Sequence, residues 1–94
     1  MKNVAFEWDP AKAASNVARH GVAFDQARGS FTDPFAIELV DDREDYGEER
    51  LVLIGMARGR LLVVVHTLRE DRVRIISARE AEPHERRRYH EDNR

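Results

Sequence analysis

Three apolar segments in quick succession, Arg50 to Ala57, Arg60 to Leu68 and Arg72 to Arg79, constrain this chain more than any other feature. They are rich in Val, Ile and Leu and too short for core helices, so they read as strands. Arg58-Gly59 and Glu70-Asp71 are tight junctions, and connections this short join only antiparallel neighbours. Two-residue loops also set a register. In that register Val52, Ile54, Met56, Leu61, Val63, Val65, Ile76 and Ala78 share one almost wholly apolar face, suited to packing helices. The opposite face is mixed: Leu51, Leu53, Leu62 and Val64 lie beside His66, Ser77 and Arg79. A one-residue slip in the pairing would invert this assignment.

The first half carries helix punctuation. Asp9-Pro10 is an N-cap followed by proline in the first turn, and His20-Gly21 is a helix end with glycine placed for a left-handed exit, which predicts a helix over 10–20. Its Ala14, Val17 and Ala18 fall on one side, and Lys12, Asn16, Arg19 and His20 line another. Phe24, Ala27 and Phe31 are in register for a second short helix, which Asp33-Pro34 ends. Phe35 to Val40 reads as a strand and Asp41 to Glu49 as an acidic loop. A C-terminal helix over Glu82 to Asp92 follows, with Pro83 in its first turn and Tyr89 as its only substantial apolar residue. One apolar residue cannot hold a helix firmly, so this helix is expected to be loosely docked and displaceable. The resulting class is α+β: two N-terminal helices on a mainly antiparallel four-stranded sheet, plus the C-terminal helix.

A chain of 94 residues fits one domain over 1–94. It has no cysteine, which excludes disulfides, thiolate metal sites and cysteine nucleophiles, and suits a reducing cytoplasm. The start carries Glu7 and Asp9 without the apolar stretch of a signal peptide, and Leu51 to Ala57 is too short to cross a bilayer. No glycine-rich phosphate loop or paired-carboxylate signature points to a small-molecule enzyme. The net charge of −2 hides a dipolar chain. Residues 58–94 hold ten arginines against seven acidic residues, whereas residues 1–57 hold six basic residues against eleven acidic ones. An arginine-only cluster is the footprint expected for a phosphate-rich partner, because guanidinium matches phosphate oxygens in pairs.

Three separated motifs carry a family resemblance: FEWDPAKAASNVARHGVAF at 6–24, GEERLVLIG at 47–55 and RVRIISAREAEPHERRRY at 72–89. In this order and spacing they resemble the BrnT family of type II toxins, whose members resemble RelE-like ribonucleases. The resemblance implies a small helix-helix-sheet fold of RelE-like type and RNA cleavage that stops translation. It also implies neutralisation by a co-encoded BrnA-like antitoxin with a ribbon-helix-helix part, through which any DNA contact would pass. The RNA would be free or ribosome-bound mRNA, in the cytoplasm and away from membranes.

Cleavage of RNA by its own 2'-hydroxyl needs a base, an acid and cations around the phosphorus, and the chain supplies these without a metal or cofactor. Arg79 ends the last strand, where the resemblance implies an essential arginine, though acidic Glu80 and Glu82 thin the positive charge around it. His20 and His66 are candidate proton carriers, since a free imidazole titrates at roughly 6.5. His20 equally suits a helix C-terminus, and His66 a half-buried strand. Tyr89 resembles the C-terminal tyrosine that RelE-like enzymes place near substrate, and equally suits an anchor for its helix. Glu85 is a further candidate acid or base. Lys12, Arg60 and Arg74 are candidate phosphate ligands, and the Arg86, Arg87, Arg88 run suits RNA or an antitoxin carboxylate. The exposed Leu51, Leu53, Leu62 and Val64 of the mixed face would receive an antitoxin anchor beside Arg79. A second reading of the same residues is a catalytically weak RNA- or antitoxin-binding module acting as corepressor.

Overall fold

The structure is a computed structural model that describes residues 4–42 and 47–93. Its elements are β1 (Ala5–Glu7), α1 (Pro10–His20), α2 (Phe24–Ala27) running into a 3₁₀ turn (Arg28–Thr32), β2 (Ile37–Asp41), β3 (Arg50–Ala57), β4 (Arg60–Arg69), β5 (Arg72–Glu80) and α3 (Pro83–Asp92). One five-stranded sheet runs β1-β5-β4-β3-β2. β1 is parallel to β5 and the other pairs are antiparallel. The sheet therefore has one strand more than the four expected, and it is mixed. β1 escapes a sequence reading because it is three residues long and abuts the Asp9-Pro10 helix start. Pairing on β5 defines it, with the Glu7 carboxylate accepting from Arg74 at 2.9 Å and Phe6 edge-on to Phe31 at 5.1 Å. β2 begins at Ile37 rather than Phe35, which lies in the preceding turn. Residues 43–46 of the expected acidic loop lie outside the described residues, as does Arg94.

Local chemistry accounts for the boundaries. Asp9 Oδ1 accepts from the Ala11 amide at 2.8 Å, and Gly21 closes α1 at φ 67 with its N–H on the Val17 carbonyl. Arg58 and Gly59 both have positive φ between paired Ala57 and Arg60, so the first two-residue loop is as expected. The second has Glu70 at φ 54 between paired Arg69 and Arg72.

The faces differ from expectation in two ways. First, a bulge breaks the β4–β5 ladder: His66 pairs Ile75 while Val65 pairs Ser77, so Ile76 has no opposite number. The slip moves Ser77 and Arg79 onto the face of Val63 and Val65 and moves Ala78 to the other, which separates Arg79 from His66. Second, the N-terminal helices cover the face that reads as mixed. Val22, Phe24, Ala27 and Phe31 pack on Leu53, Ala57, Leu62, Val64, Ile75 and Ala78. Leu51, Leu53, Leu62 and Val64 are therefore core and offer no anchor site to a partner.

Backbone approach decides which face is covered. A Cβ on Gly55 would lie 2.6 Å from the Ser30 carbonyl, and the Ser30 hydroxyl donates to the Gly55 carbonyl at 2.9 Å. The 3₁₀ turn can settle there only because β3 is flat at that point. Burying Phe24, 2% exposed, contributes about 1.5 to 3 kcal/mol.

α1 is also turned relative to expectation. Ala14, Val17 and Ala18 face solvent, and beside the half-buried Ala13 the inward residue is Asn16. Its carboxamide donates to the Ala78 and Val22 carbonyls at 2.8 Å each and accepts from the Ala78 amide at 3.1 Å. With one donor group and one acceptor, it completes the edge of β5 beyond the end of β1.

The second face is covered only at one end. There Tyr89 of α3 packs with Ile54, Leu61, Val63 and Ala81.

Candidate functional site: a cleft between the open sheet face and the C-terminal helix

Where α3 stops covering the sheet, a cleft of about 640 Å³ opens. Its floor is Leu39, Val52, Ile54, Val63 and Val65, the alternate residues of β2, β3 and β4. Ser77 and Arg79 enter from β5, His20 from the last turn of α1, and His84, Glu85 and Arg88 from α3; Asp41 and Asp42 close the β2 side. The Asn16 bonds to Ala78 are what bring the end of α1 to this wall, so a buried amide positions an exposed imidazole.

Arg79 is held by a fork. Its two terminal nitrogens donate to the two oxygens of Glu85, each at 2.8 Å, and one also donates to the Glu80 carbonyl. Hydrogen bonding from Arg79 drives the Glu85 carboxyl below its ordinary value, against the opposing effect of its burial. Glu85 also accepts from the Glu82 amide at 2.8 Å in a capping box, so α3 starts on the residue that grips Arg79. Glu80 and Glu82 do not bridge to Arg79 through their side chains: Glu80 pairs with Arg60, and Glu82 caps α3. A bidentate carboxylate occupies the geometry in which a guanidinium receives two phosphate oxygens.

α3 is tied down through Asp33. The Asp33 carboxylate accepts from the Tyr89 hydroxyl at 2.6 Å, the Met56 amide at 2.7 Å and the Phe35 amide at 2.8 Å. Burial opposes its charge, but these donors outweigh it and hold Asp33 below the usual range. Burial pushes the Tyr89 hydroxyl up, and the adjacent Asp33 pushes it further, to about 12. Tyr89 thus keeps its proton across the ordinary range. Asn93 adds a bond to the Phe35 carbonyl at 2.9 Å.

Of the residues singled out from sequence, Arg79 and His20 share the cleft. Tyr89 lies beside it, buried. His66 does not: it is 1% exposed under Phe31 on the opposite face, with Nε2 3.1 Å from Glu38. Arg60 is on that far face, donating to the Gly21 carbonyl and Gln26, and Arg74 pairs with Glu7. Lys12 is exposed near the start of α1, away from the cleft lining. His84 and Arg88 were not picked out individually. Their signal was helical spacing, since residues 84, 85 and 88 fall on one side of α3. Glu82, His84 and Glu85 bring ligand atoms within 4.8 Å of one another, a geometry open to a metal. Both carboxylates already serve other partners, Arg79 and the start of α3.

Residues 8–85 match the family model described as the ribonuclease toxin BrnT of type II toxin-antitoxin systems. No curated protein sequence matches the chain. The matched span holds α1, all of the antiparallel strands, Arg79, His84 and Glu85, so on more than half of its length this chain belongs to the BrnT family of ribonuclease toxins of type II toxin-antitoxin systems.

Proposed function

We propose that the chain is a metal-independent endoribonuclease of RelE-like type that cuts RNA, free or ribosome-bound, through the substrate's own 2'-hydroxyl. By doing so it stops translation in the cytoplasm. The observation that carries this reading is the convergence of Arg79, Arg88, His20 and His84 on one open cleft. Arg79 and Arg88 would neutralise the charge that grows on phosphorus. His20 and His84, from different elements, would act as the base that takes the 2'-hydroxyl proton and the acid that protonates the departing 5' oxygen. Tyr89 is assigned to anchoring α3, since a hydroxyl with a pKa of about 12 is a poor proton donor while its docked form hydrogen-bonds Asp33.

A BrnA-like ribbon-helix-helix antitoxin would neutralise the toxin by filling this cleft. A carboxylate would meet Arg79, and an apolar side chain the floor of Leu39, Val52 and Val65. DNA would be reached through the antitoxin alone. One observation favours the alternative of a catalytically weak corepressor module: Glu85 already fills the Arg79 fork.

Growth of cells expressing the chain alone, with primer extension on their RNA, separates the two. Arrest with new RNA ends, both lost in Arg79→Ala, is expected. No arrest from soluble protein, restored by Glu85→Gln, would show that the internal carboxylate holds the enzyme shut. No arrest from either would leave the binding-module reading. Cleavage by purified protein is expected to persist in chelator, and its loss would overturn metal independence.

A further inference from the structure

Among the described residues, Phe35 is the one phenylalanine, tyrosine or tryptophan ring left largely in solvent, at 57% exposed. Its backbone is nonetheless pinned. The Phe35 amide donates to Asp33 at 2.8 Å, the Ala36 amide closes the turn on the Asp33 carbonyl at 3.1 Å, and the Phe35 carbonyl accepts from Asn93. A turn fixed at donor and acceptor alike, with its largest apolar group turned outward, presents that ring rigidly. The position joins the two sides of the cleft. Leu39, four residues on, is in the floor; Arg88, five residues before Asn93, is in the wall, about 7.5 Å along α3.

We propose that Phe35 is a stacking platform for an unpaired base of single-stranded RNA, next to the nucleotide whose phosphate enters the cleft. The described lining of that cleft holds two imidazoles among aliphatic and charged side chains but no larger ring, so its floor offers little to stack a base on. Single-strand binders combine cationic side chains with exposed rings, and here Arg88 of α3 is the cation on the cleft side, while Arg86 and Arg87 line a separate groove with His90 and Glu91. The Asp33 carboxylate, two residues before the ring, is engaged by three donors. The ribonuclease family supplies RNA as the occupant to test on this surface, and the flat ring suits an unpaired base. This inference rests on the ribonuclease reading and names where its substrate is gripped.

The test is binding of a short single-stranded RNA bearing 2'-O-methyl groups, which cannot be cut, to the whole protein. Phe35→Ala and Phe35→Leu are expected to weaken it roughly ten- to a hundredfold, Leu as much as Ala because stacking needs a π face. Phe35→Trp is expected to bind as well as the parent, with the added indole emission quenched by RNA. Unchanged melting of each variant would show that the turn survives. Equal RNA affinity of Phe35→Ala and parent would overturn the platform while leaving the ribonuclease reading intact. If that variant instead loses only antitoxin affinity, the ring is a protein anchor and the proposal fails. Failure of the parent to bind RNA at all would remove both readings.

Discussion

The two faces of the sheet are built from alternate residues of the same strands, yet they have become different materials. On one face Leu53, Leu62 and Val64 are sealed under Phe24 and Phe31, and even its polar members His66 and Ser30 are buried and bonded. On the other, Val52, Val65 and Leu39 stay half-open, and α3 is held mainly by one ring and a set of polar ties. Close approach across Gly55 made the first face suitable for dry packing. The second, which carries the bulky Ile54 and Met56, was left to a short helix that covers half of it. The fold thus places stability on one side and adjustable, charged chemistry on the other, with β5 shared between them through its bulge.

If that division is real, mutations should sort by face. Phe24→Ala should have the largest effect, about 3 to 5 kcal/mol lost in denaturant melting, with any surviving folded protein still binding RNA. A loss under 1 kcal/mol would mean the covered face is not the core. Gly55→Ala follows at about 1 to 3 kcal/mol, because its methyl would meet a backbone carbonyl rather than a yielding side chain. Tyr89→Phe should cost less globally, about 1.5 kcal/mol for a hydrogen bond to a charged group. Amide exchange should show that cost as faster opening of α3 with β4 unchanged. Uniform acceleration across the sheet would instead tie α3 into the core and deny the contrast between faces.

Much of this was legible in the amino-acid order, and the failures have physical causes. Helix α1, the two hairpin loops and the four antiparallel strands follow from caps, turn residues and period. The bulge at Ile76 does not, because Ile75 and Ile76 are both apolar and either could take the place facing the core. Consequently His66 was grouped with Arg79 when the sheet lies between them. The orientation of α1 was hidden because Asn16 faces inward, where the Val22 carbonyl and the distant Ala78 backbone satisfy it. Arg79 and His20, singled out through the family motifs, both line the cleft. His84 was passed over because its place in the cleft comes from α3 docking, a tertiary fact that Tyr89 and Asp33 create 56 residues apart.

The smallest expected effect is the sharpest probe of α3. Tyr89 has a folded pKa of about 12 against an ordinary 10.0. A raised folded value means that its contribution is complete below pH 10 and fades as pH climbs toward 12. Asp33 and Glu85 shift the other way: both are lowered, so their contribution is complete above the ordinary carboxylate range and is lost as pH falls through their folded values. α3 should therefore loosen at both extremes, through Tyr89 ionisation at one and protonation of its two carboxylate ties at the other. With Tyr46→Phe as background, the absorbance of ionised tyrosine should rise well above pH 10, and Asp33→Asn should bring it back toward 10. A titration at 10 in the parent would mean that the ring is not docked on Asp33, and α3 would then be free to release Arg79 without any partner.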